Sequence, residues 1–331
     1  MASLQEVARR AKVSIATVSR VLNKSEKVVP ETRAVVEQAL RDLGYRPNRV
    51  ARRLRMKDGR AHLVGLIIPD IQNPFYAEIA RGVEDAAYAS EYALLLCNSD
   101  ENPAKEKFYL DVMCSESVDG IVLPPFDDTD SAVIELVKTG MPVVCVDRSL
   151  ARVNTDLVEV DNYRGAHEAV THLLGKGHRN IGLIEGRAQV STSRERRRGY
   201  LDALAEHGVP VRKDLMRAGD FKQESGRVLA GELLDLRKPP TALFVCNNLM
   251  TVGALAALHQ RELRVPRDVA IVGFDDLPWA EALDPPLTVV RQPAYEVGRQ
   301  AMELLLKRIM EPTRPPISVR LLPELVTRRS T

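Results

Sequence analysis

Seven short apolar runs recur from residue 62 onward, and segments with helical spacing separate them. The runs are HLVGLIIPD, YALLLCN, DGIVLPP, PVVCVDR, NIGLIEG, TALFVCN and VAIVGFDD. They lack the apolar–polar alternation of half-exposed strands, which is typical of strands buried in parallel sheets. Segments such as YAEIARGVEDAAYAS and NLMTVGALAALHQRE predict the intervening helices. The alternation therefore predicts a doubly wound α/β architecture for most of the chain.

Bulk properties exclude several classes of protein. The chain has 331 residues, which suggests two or three domains, and 45% of its residues are hydrophobic. The sequence contains no run of eighteen apolar residues, so no membrane span is predicted, and the N-terminus has no signal-peptide pattern. The four cysteines have no paired spacing, which favours buried free thiols in a reducing bacterial cytoplasm over disulfides or a metal site: Cys97, Cys114, Cys145 and Cys246.

Charge is distributed unevenly along the chain. Residues 1–60 contain fifteen Lys or Arg and six Asp or Glu, whereas the remainder contains 32 basic and 39 acidic residues. This asymmetry indicates a nucleic-acid or membrane-surface partner for the N-terminal piece alone. Its basic residues are interleaved with apolar positions at helical spacing, so the piece is expected to be folded.

The N-terminal segment SLQEVARRAKVSIATVSRVLN predicts two short helices joined by a tight turn. Ser3 and Glu6 form the sequence of a capping box, and Ser14 can cap the second helix. Val18 and Val21 are expected to face inward, which leaves small and basic groups on the outer face of that helix. The segment PETRAVVEQALRDLG predicts a third helix that starts at a proline and ends at a glycine. Such a bundle can present its second helix to a major groove.

A short basic segment, NRVARRLRM, follows the bundle. It can form one helix with Asn48 as its cap, but it is too short to persist alone. It is either a charged linker or a hinge helix that orders only on DNA, with Leu54 inserted at a minor-groove step.

Polar side chains follow the predicted strands, where ligands of open α/β sheets bind. Carboxylate, amide and guanidinium groups with aromatic rings nearby suit a polyhydroxylated ligand, because they form paired hydrogen bonds to hydroxyls and cover a sugar C–H face. The strand-end candidates are Asp70, Asn73, Phe75, Asn98, Asp100, Asp147, Arg148, Asn247, Asn248, Asp275, Asp276, Arg291 and Gln292.

The motifs VARRAKVSIATVSRVLN and YRPNRVARRLR resemble the DNA-binding domain of the LacI/GalR repressor family. The resemblance implies that Ile15, Ala16 and Arg20 contact bases and that Leu54 intercalates. Lys12 departs from the glycine of many members, which costs little if its φ is negative. The DNA-binding residues implied in this way are Ser14, Ile15, Ala16, Thr17, Ser19, Arg20, Asn23, Asn48, Ala51, Leu54 and Arg55.

The remaining chain resembles the effector domain of the same family, which is similar to periplasmic sugar-binding proteins with two lobes and three crossovers. The resemblance implies a helix-turn-helix domain at residues 1–46, a hinge at 47–60 and an effector-binding and dimerisation core at 61–331. The N-lobe is expected at about 61–160 and 292–320, and the C-lobe at about 161–291 and 321–331.

The motifs NPFY, VDR and RQP resemble ribose-binding members most closely. The resemblance implies that two phenylalanines sandwich a sugar ring and that polar residues bond its hydroxyls. Ribose is favoured among several pentoses and hexoses, and a sugar acid or a purine is the alternative ligand. The effector-binding residues implied are Phe75, Asp147, Arg148, Arg196, Phe221, Asn247, Asp275 and Gln292.

Other functions lack sequence support. His167, His172 and His178 have poor metal-ligand spacing, and no nucleophile elbow or phosphate loop occurs, so neither a metal, a cofactor nor an enzyme is expected. A transport-type sugar-binding protein would need an export signal and no basic N-terminal domain. No apolar heptads follow ELVTRRST, so a homodimer on a palindromic DNA operator is expected. The sequence therefore predicts a cytoplasmic transcription regulator, a repressor controlled by a small sugar.

Overall fold

A computed structural model describes residues 2–22, 28–45 and 60–331. The chain divides into two compact units, residues 1–61 and residues 62–331. The first unit is helical and the second contains two parallel-dominated sheets, so the predicted combination of an all-α bundle with a two-lobed α/β core is confirmed.

The N-terminal unit contains three helices, α1 (Leu4–Ala11), α2 (Ile15–Leu22) and α3 (Pro30–Asp42). The predicted capping box is present, because the Glu6 amide donates to Ser3 Oγ at 3.2 Å and the Ser3 amide donates to Glu6 Oε2 at 2.6 Å. Ser14 caps α2 by accepting a hydrogen bond from the Thr17 amide at 3.1 Å. The small core of this bundle is built on the fully buried Val7, Val18 and Val36.

The turn between α1 and α2 has a left-handed residue. Lys12 has φ 53° and ψ 39°, so the condition under which lysine in place of glycine would cost little, a negative φ, is not met. This conformation lets the Val13 amide return to the Ala8 carbonyl at 3.0 Å and close the helix, as glycine commonly does. Adopting this conformation costs a residue with a Cβ about 1–2 kcal/mol of conformational free energy.

The N-lobe of the second unit is a six-stranded, fully parallel sheet in the order β11-β5-β4-β3-β1-β2. Its strands are β1 (Leu63–Ile68), β2 (Ala93–Asn98), β3 (Gly120–Leu123), β4 (Val143–Val146), β5 (Asp156–Val160) and β11 (Ser318–Leu321). Its helices are α4 (Pro74–Ala89), α5 (Pro103–Ser115), α6 (Ser131–Lys138) and α11 (Ala294–Met310).

The C-lobe is a second six-stranded sheet in the order β12-β10-β9-β8-β6-β7, in which only β12 is antiparallel. Its strands are β6 (Ile181–Glu185), β7 (Met216–Ala218), β8 (Ala242–Val245), β9 (Ala270–Phe274), β10 (Thr288–Arg291) and β12 (Glu324–Val326). Its helices are α7 (Asn162–Gly175), α8 (Ser191–Glu206), α9 (Gln223–Leu234) and α10 (Asn248–Gln260). The chain passes between the lobes after β5, after β10 and after β11.

Helix pairs within each lobe approach until their backbones touch. A Cβ added to Gly82 of α4 would lie 2.1 Å from the Tyr295 carbonyl of α11, and one on Gly298 would lie 2.0 Å from the Ile79 carbonyl. In the C-lobe, a Cβ added to Gly253 of α10 would likewise lie 2.0 Å from the carbonyl oxygen of Gln223, the first residue of α9. Only glycine permits these contacts, so each pair is held at a fixed separation.

Two predictions about burial are wrong. The run YALLLCN forms the edge strand β2 and is only partly buried, with Leu96 39% exposed, because β1 is its one partner in the sheet. Cys114 is exposed near the end of α5, whereas Cys145 and Cys246 are buried as expected. All four cysteines are free thiols.

The three histidines considered as ligands serve separate contacts, with Glu206, Thr331 and Thr241. Within the described ranges, no group of His, Cys, Asp or Glu is arranged to hold a metal ion. Over the same ranges, no helix has the length and apolar character needed to span a membrane.

Replacing Lys12 by glycine should stabilise the N-terminal bundle by roughly 0.5–1 kcal/mol, because relief of the left-handed strain is partly offset by the freedom of glycine in the unfolded chain. Hydrogen exchange of the α1 and α2 amides in the full chain would measure the change. Lys12→Ala is the matched control, since it removes the charge but keeps the Cβ. Equal exchange in the two variants would contradict the explanation.

Candidate ligand cleft and nucleic-acid interface

The carboxyl ends of the strands in the two lobes face a common cleft. The space between its lining side chains, including open solvent at its mouth, is about 420 Å³. Gln292 stands next to the cleft, with Nε2 2.5 Å from the carboxylate Oδ1 of Asp275. The other seven residues implied as effector contacts all line it: Phe75, Asp147, Arg148, Arg196, Phe221, Asn247 and Asp275.

Several cleft residues adopt left-handed backbone conformations. Asp147 has φ 62°, Asp275 has φ 71° and Phe221 has φ 71°. The amides of Asp147 and Asp275 still bond to Val158 and Val290 of the neighbouring strands, each at 2.9 Å, and the chain then turns sharply. Such strain costs on the order of 1–3 kcal/mol per residue and clusters at functional sites. The sheet ladders hold these turns and fix the positions of the two aspartates.

One wall of the cleft is a buried network around Arg148. The Tyr76 hydroxyl donates to Asp147 Oδ2 at 3.0 Å and accepts from Arg148 Nη2 at 3.2 Å. Burial raises the pKa of the Asp147 carboxyl above its usual value, although Arg148 and Arg196 oppose the shift. Among the described residues, the buried Nε of Arg148 has no hydrogen-bond partner.

Glu101 completes that network, and sequence reasoning missed it. Its Oε1 lies 2.5 Å from Arg148 Nη2, and its Oε2 accepts from both Arg148 Nη1, at 3.1 Å, and Arg187 Nη2. Burial alone would raise the pKa of the Glu101 carboxyl, but the guanidinium groups of Arg148 and Arg187 outweigh burial, and the pKa is lowered. Glu101 is therefore ionised and shared between a cation of each lobe.

The opposite wall is set by Arg196 and Phe221. Arg196 donates from Nε to Asn162 Oδ1 at 2.7 Å, and its guanidinium lies 3.8 Å from the centre of the Phe274 ring. It is buried, whereas its neighbours Arg194 and Arg197 are exposed. Arg196 thus supports the wall as well as lining it.

The Phe221 ring lies over Gly186, just after β6. A Cβ at Gly186 would be 2.2 Å from two ring atoms of Phe221, so glycine makes room for the ring. Asn247 holds the same segment, because its Nδ2 donates to the Phe221 carbonyl at 2.9 Å while its Oδ1 caps α10 through the Met250 amide.

Asp275 and Asp276 point apart, as expected for adjacent residues. Asp275 faces the cleft, and burial raises the pKa of its carboxyl despite the opposing effects of Arg196 and Gln292. Asp276 instead accepts from Arg291 at 2.7 Å and from Arg328 at 2.8 Å, away from the cleft. Asp276 is therefore a structural ion-pair partner.

Some of the predicted strand-end candidates do not line the cleft, and some residues that line it were not predicted. Asn98 and Asp100 lie around a neighbouring depression, and Arg291 belongs to the Asp276 ion pairs. The lining residues that neither the strand-end argument nor the family resemblance selected are Tyr76, Glu101, Thr192, Lys222 and Leu249. Only Tyr76 stood within a motif already identified, NPFY; the others lie in loops or at the first residues of helices.

Polar contacts join the lobes across the cleft. Lys222 Nζ lies 2.7 Å from Asp70 Oδ2, and Arg194 lies 2.8 Å from Asp128. Asn248 donates from Nδ2 to Asn73 Oδ1 at 2.8 Å, a bond that an aspartate at this position could not donate. The lobes are thus held together by side chains that a small relative movement would separate.

The outer face of α2 carries the residues implied as base contacts. Ile15 is 46% exposed, and Ala16 and Arg20 are also exposed. Ser14 and Thr17 bond to each other through their hydroxyls at 2.9 Å at the start of this helix, and Ser19 is half-buried. Five of the implied DNA contacts lie outside the described residues: Asn23, Asn48, Ala51, Leu54 and Arg55.

Comparison with known proteins matches both parts of the chain. Residues 3–48 match the family described as bacterial regulatory proteins, lacI family, and residues 170–331 match a periplasmic binding protein-like domain. Catabolite control protein A of Priestia megaterium is 39% identical over 99% of both chains. The transcriptional repressor PurR of Histophilus somni strain 129Pt is 35% identical over 100% of this chain and 99% of its own.

Solved structures agree with these matches. The lac repressor dimer bound to operator and the anti-inducer ONPF superimposes with a TM-score of 0.87 at 27% identity, covering 100% of this chain and 99% of its own. A LacI family regulator from Enterococcus faecium with bound ribose has a TM-score of 0.73 at 30% identity, over 81% of this chain and 98% of its own. This chain therefore belongs to the LacI family of bacterial regulatory proteins and is a transcriptional repressor of that family.

Proposed function

We propose that the protein represses sugar-utilisation genes and is controlled by a small neutral sugar, a ribose-like pentose or a hexose, bound between the two lobes. A homodimer binds a palindromic operator through α2 of each subunit and through paired hinge helices. The hinge segment, with Leu54 as the residue that enters the minor groove, lies outside the described residues and is proposed from the family resemblance.

The chemistry of the cleft carries the proposal for the ligand. Phe75 and Phe221 supply aromatic faces in a lining otherwise dominated by carboxylate, amide and guanidinium groups. Among the buried polar atoms without a hydrogen-bond partner in the described part of the chain, two belong to residues at or next to the cleft: the donor Arg148 Nε and the acceptor Gln292 Oε1. A sugar hydroxyl both accepts and donates, so a polyol can satisfy both atoms at once.

The raised pKa values of Asp147 and Asp275 support the same conclusion. Burial disfavours the charged form of both carboxylates despite their existing partners, and further hydrogen bonds from ligand hydroxyl groups would stabilise that form. The similar E. faecium regulator contains ribose, which favours a pentose for the present cleft.

The contacts across the cleft support a two-state response. Lys222–Asp70 and Asn248–Asn73 hold one arrangement of the lobes, and a ligand with different contacts in another arrangement would shift the balance. We infer that sugar favours the arrangement in which the N-lobes of a dimer separate, the hinge helices melt and operator affinity falls. Coupling of this kind typically changes affinity 5–150-fold.

Arg20 is proposed as the main hydrogen-bonding reader of bases, because Ile15 and Ala16 can make only apolar contacts, such as with thymine methyl groups. Arg20→Ala should weaken binding to an operator selected from random duplexes by roughly 5–150-fold, since a bidentate base contact is worth about 1–3 kcal/mol. Fluorescence anisotropy at fixed salt would measure the loss.

Arg41→Ala is the charge-matched control, because Arg41 is an exposed residue of α3 that bonds to Gln38. It should reduce binding to operator and scrambled DNA alike and by much less. The same loss for both variants would mean that Arg20 contributes charge and not base recognition.

Gly186→Ala should weaken sugar binding at least tenfold, because the new methyl group displaces the Phe221 ring from its place over Gly186. A thermal-shift screen of pentoses and hexoses identifies the stabilising sugar, and calorimetric titration then compares the variants. Gly175→Ala is the control, since a Cβ there meets no atom within 4 Å. Unchanged affinity in Gly186→Ala would exclude Phe221 as a ring contact.

A further inference from the structure

Glu101 occupies an unusual position for an acidic residue in a ligand cleft. It follows β2 with φ 56°, next to Asp100 with φ 55°, and its side chain is only 9% exposed. The two successive left-handed residues direct the chain, and with it this carboxylate, between Arg148 and Arg187. Nothing in the proposed recognition of sugar hydroxyls requires an acid at this point.

The carboxylate of Glu101 occupies the donors that would otherwise attract an anion. Both Nη atoms of Arg148 are within 3.1 Å of a Glu101 oxygen, and Arg187 Nη2 donates to Oε2 as well. The Nε of Arg148 makes no hydrogen bond within the described residues and lies 3.7 Å from Asp147 Oδ2, so it is the donor of this guanidinium left to a ligand. One donor suits a hydroxyl, whereas phosphate and carboxylate groups are bound best by paired guanidinium donors.

The other charges of the cleft are also balanced. Lys222 pairs with Asp70 at 2.7 Å, Asp147 lies 3.7 Å from Arg148, and Arg196 stands close enough to Asp275 to oppose the rise in its pKa. Four carboxylates thus face four cations around the site: Asp70, Glu101, Asp147 and Asp275 against Arg148, Arg187, Arg196 and Lys222. An anionic ligand would enter a site whose cations are already neutralised, and a buried charge without a partner is strongly disfavoured.

We propose that Glu101 is a specificity-determining residue that makes the cleft accept uncharged sugars and reject sugar acids and sugar phosphates. The proposal rests on the proposed function, a sugar ligand in this cleft, and defines the class of that ligand. Neutralising Glu101 leaves two guanidinium groups, one from each lobe, without their shared counter-ion. The cleft then gains a net positive charge at the place where an anionic group of the ligand can reach it.

The test is calorimetric titration of the full-length protein with D-ribose, D-ribonate and D-ribose 5-phosphate. The wild type should bind ribose at least 100-fold more tightly than either anion. Glu101→Gln keeps the size of the side chain and should shift the preference toward both anions by at least tenfold. Two anions of different shape separate the effect of charge from a steric one.

Asp128→Asn is the matched control. Asp128 also pairs with an arginine of the other lobe, Arg194 at 2.8 Å, but it does not line the cleft. It therefore tests whether loss of any ion pair between the lobes changes ligand preference, and its ratio of affinities should stay within twofold of the wild type.

Arg187→Gln provides a test that does not depend on the folding of the Glu101 variant. Because Arg187 is partly exposed and Glu101 keeps its pairing with Arg148, this variant should discriminate against the anions at least as strongly as the wild type. Competition against bound ribose measures the ratio. Improved anion binding in Arg187→Gln would overturn the proposal.

The outcomes separate the two proposals. Wild type that binds ribose 5-phosphate or ribonate as tightly as ribose overturns the role of Glu101 but keeps the cleft as a ligand site. Ribose binding with an unchanged preference in Glu101→Gln, or an equal shift in Asp128→Asn, also overturns that role alone. No binding of any of the three ligands by the wild type or by Glu101→Gln overturns ribose as the effector and the role of Glu101 with it. Failure of every pentose and hexose in the thermal-shift screen overturns the sugar-effector function itself.

Discussion

The parallel direction of the strands determines where this core can bind a ligand. In each lobe, the strands β1 to β5 or β6 to β10 run the same way, so their carboxyl ends lie along one edge of the sheet. The three crossovers set the two edges against each other. Residues far apart in the chain, such as Asp147 and Asp275, therefore meet in one cleft, and their left-handed backbones are held by hydrogen bonds to the neighbouring strands.

Burying so many charges requires that each be compensated. Arg148 is 3% exposed and satisfies this requirement through Glu101, Tyr76 and the nearby carboxylate of Asp147. Because Arg187 and Lys222 reach across from the C-lobe to Glu101 and Asp70, part of the compensation exists only while the lobes are close together. The charge balance of the cleft is thus coupled to the distance between the lobes. A ligand that alters these ion pairs also alters the arrangement of the lobes.

Local patterns predicted the elements well because their causes are local. The capping box at Ser3, the strand runs and the divergence of Asp275 from Asp276 follow from short-range spacing and geometry. The failures involve information from distant residues: Leu96 is exposed because β2 has no outer neighbour, and Glu101 reaches the cleft through a turn whose partner, Arg187, is 86 residues away. The left-handed conformation of Lys12 was indicated only by the glycine that many family members have at this position, because lysine itself does not favour this conformation.

The glycine contacts between helices bear on how a signal could cross the molecule. Where α4 meets α11 at Gly82 and Gly298, and where α10 meets α9 at Gly253, backbone rests on backbone and no side chain can change rotamer to absorb a displacement. We therefore expect each lobe to move as a rigid body, so that a small displacement at the cleft rotates one lobe relative to the other. A small rotation about the three connecting segments produces a much larger displacement at the part of the lobe farthest from them.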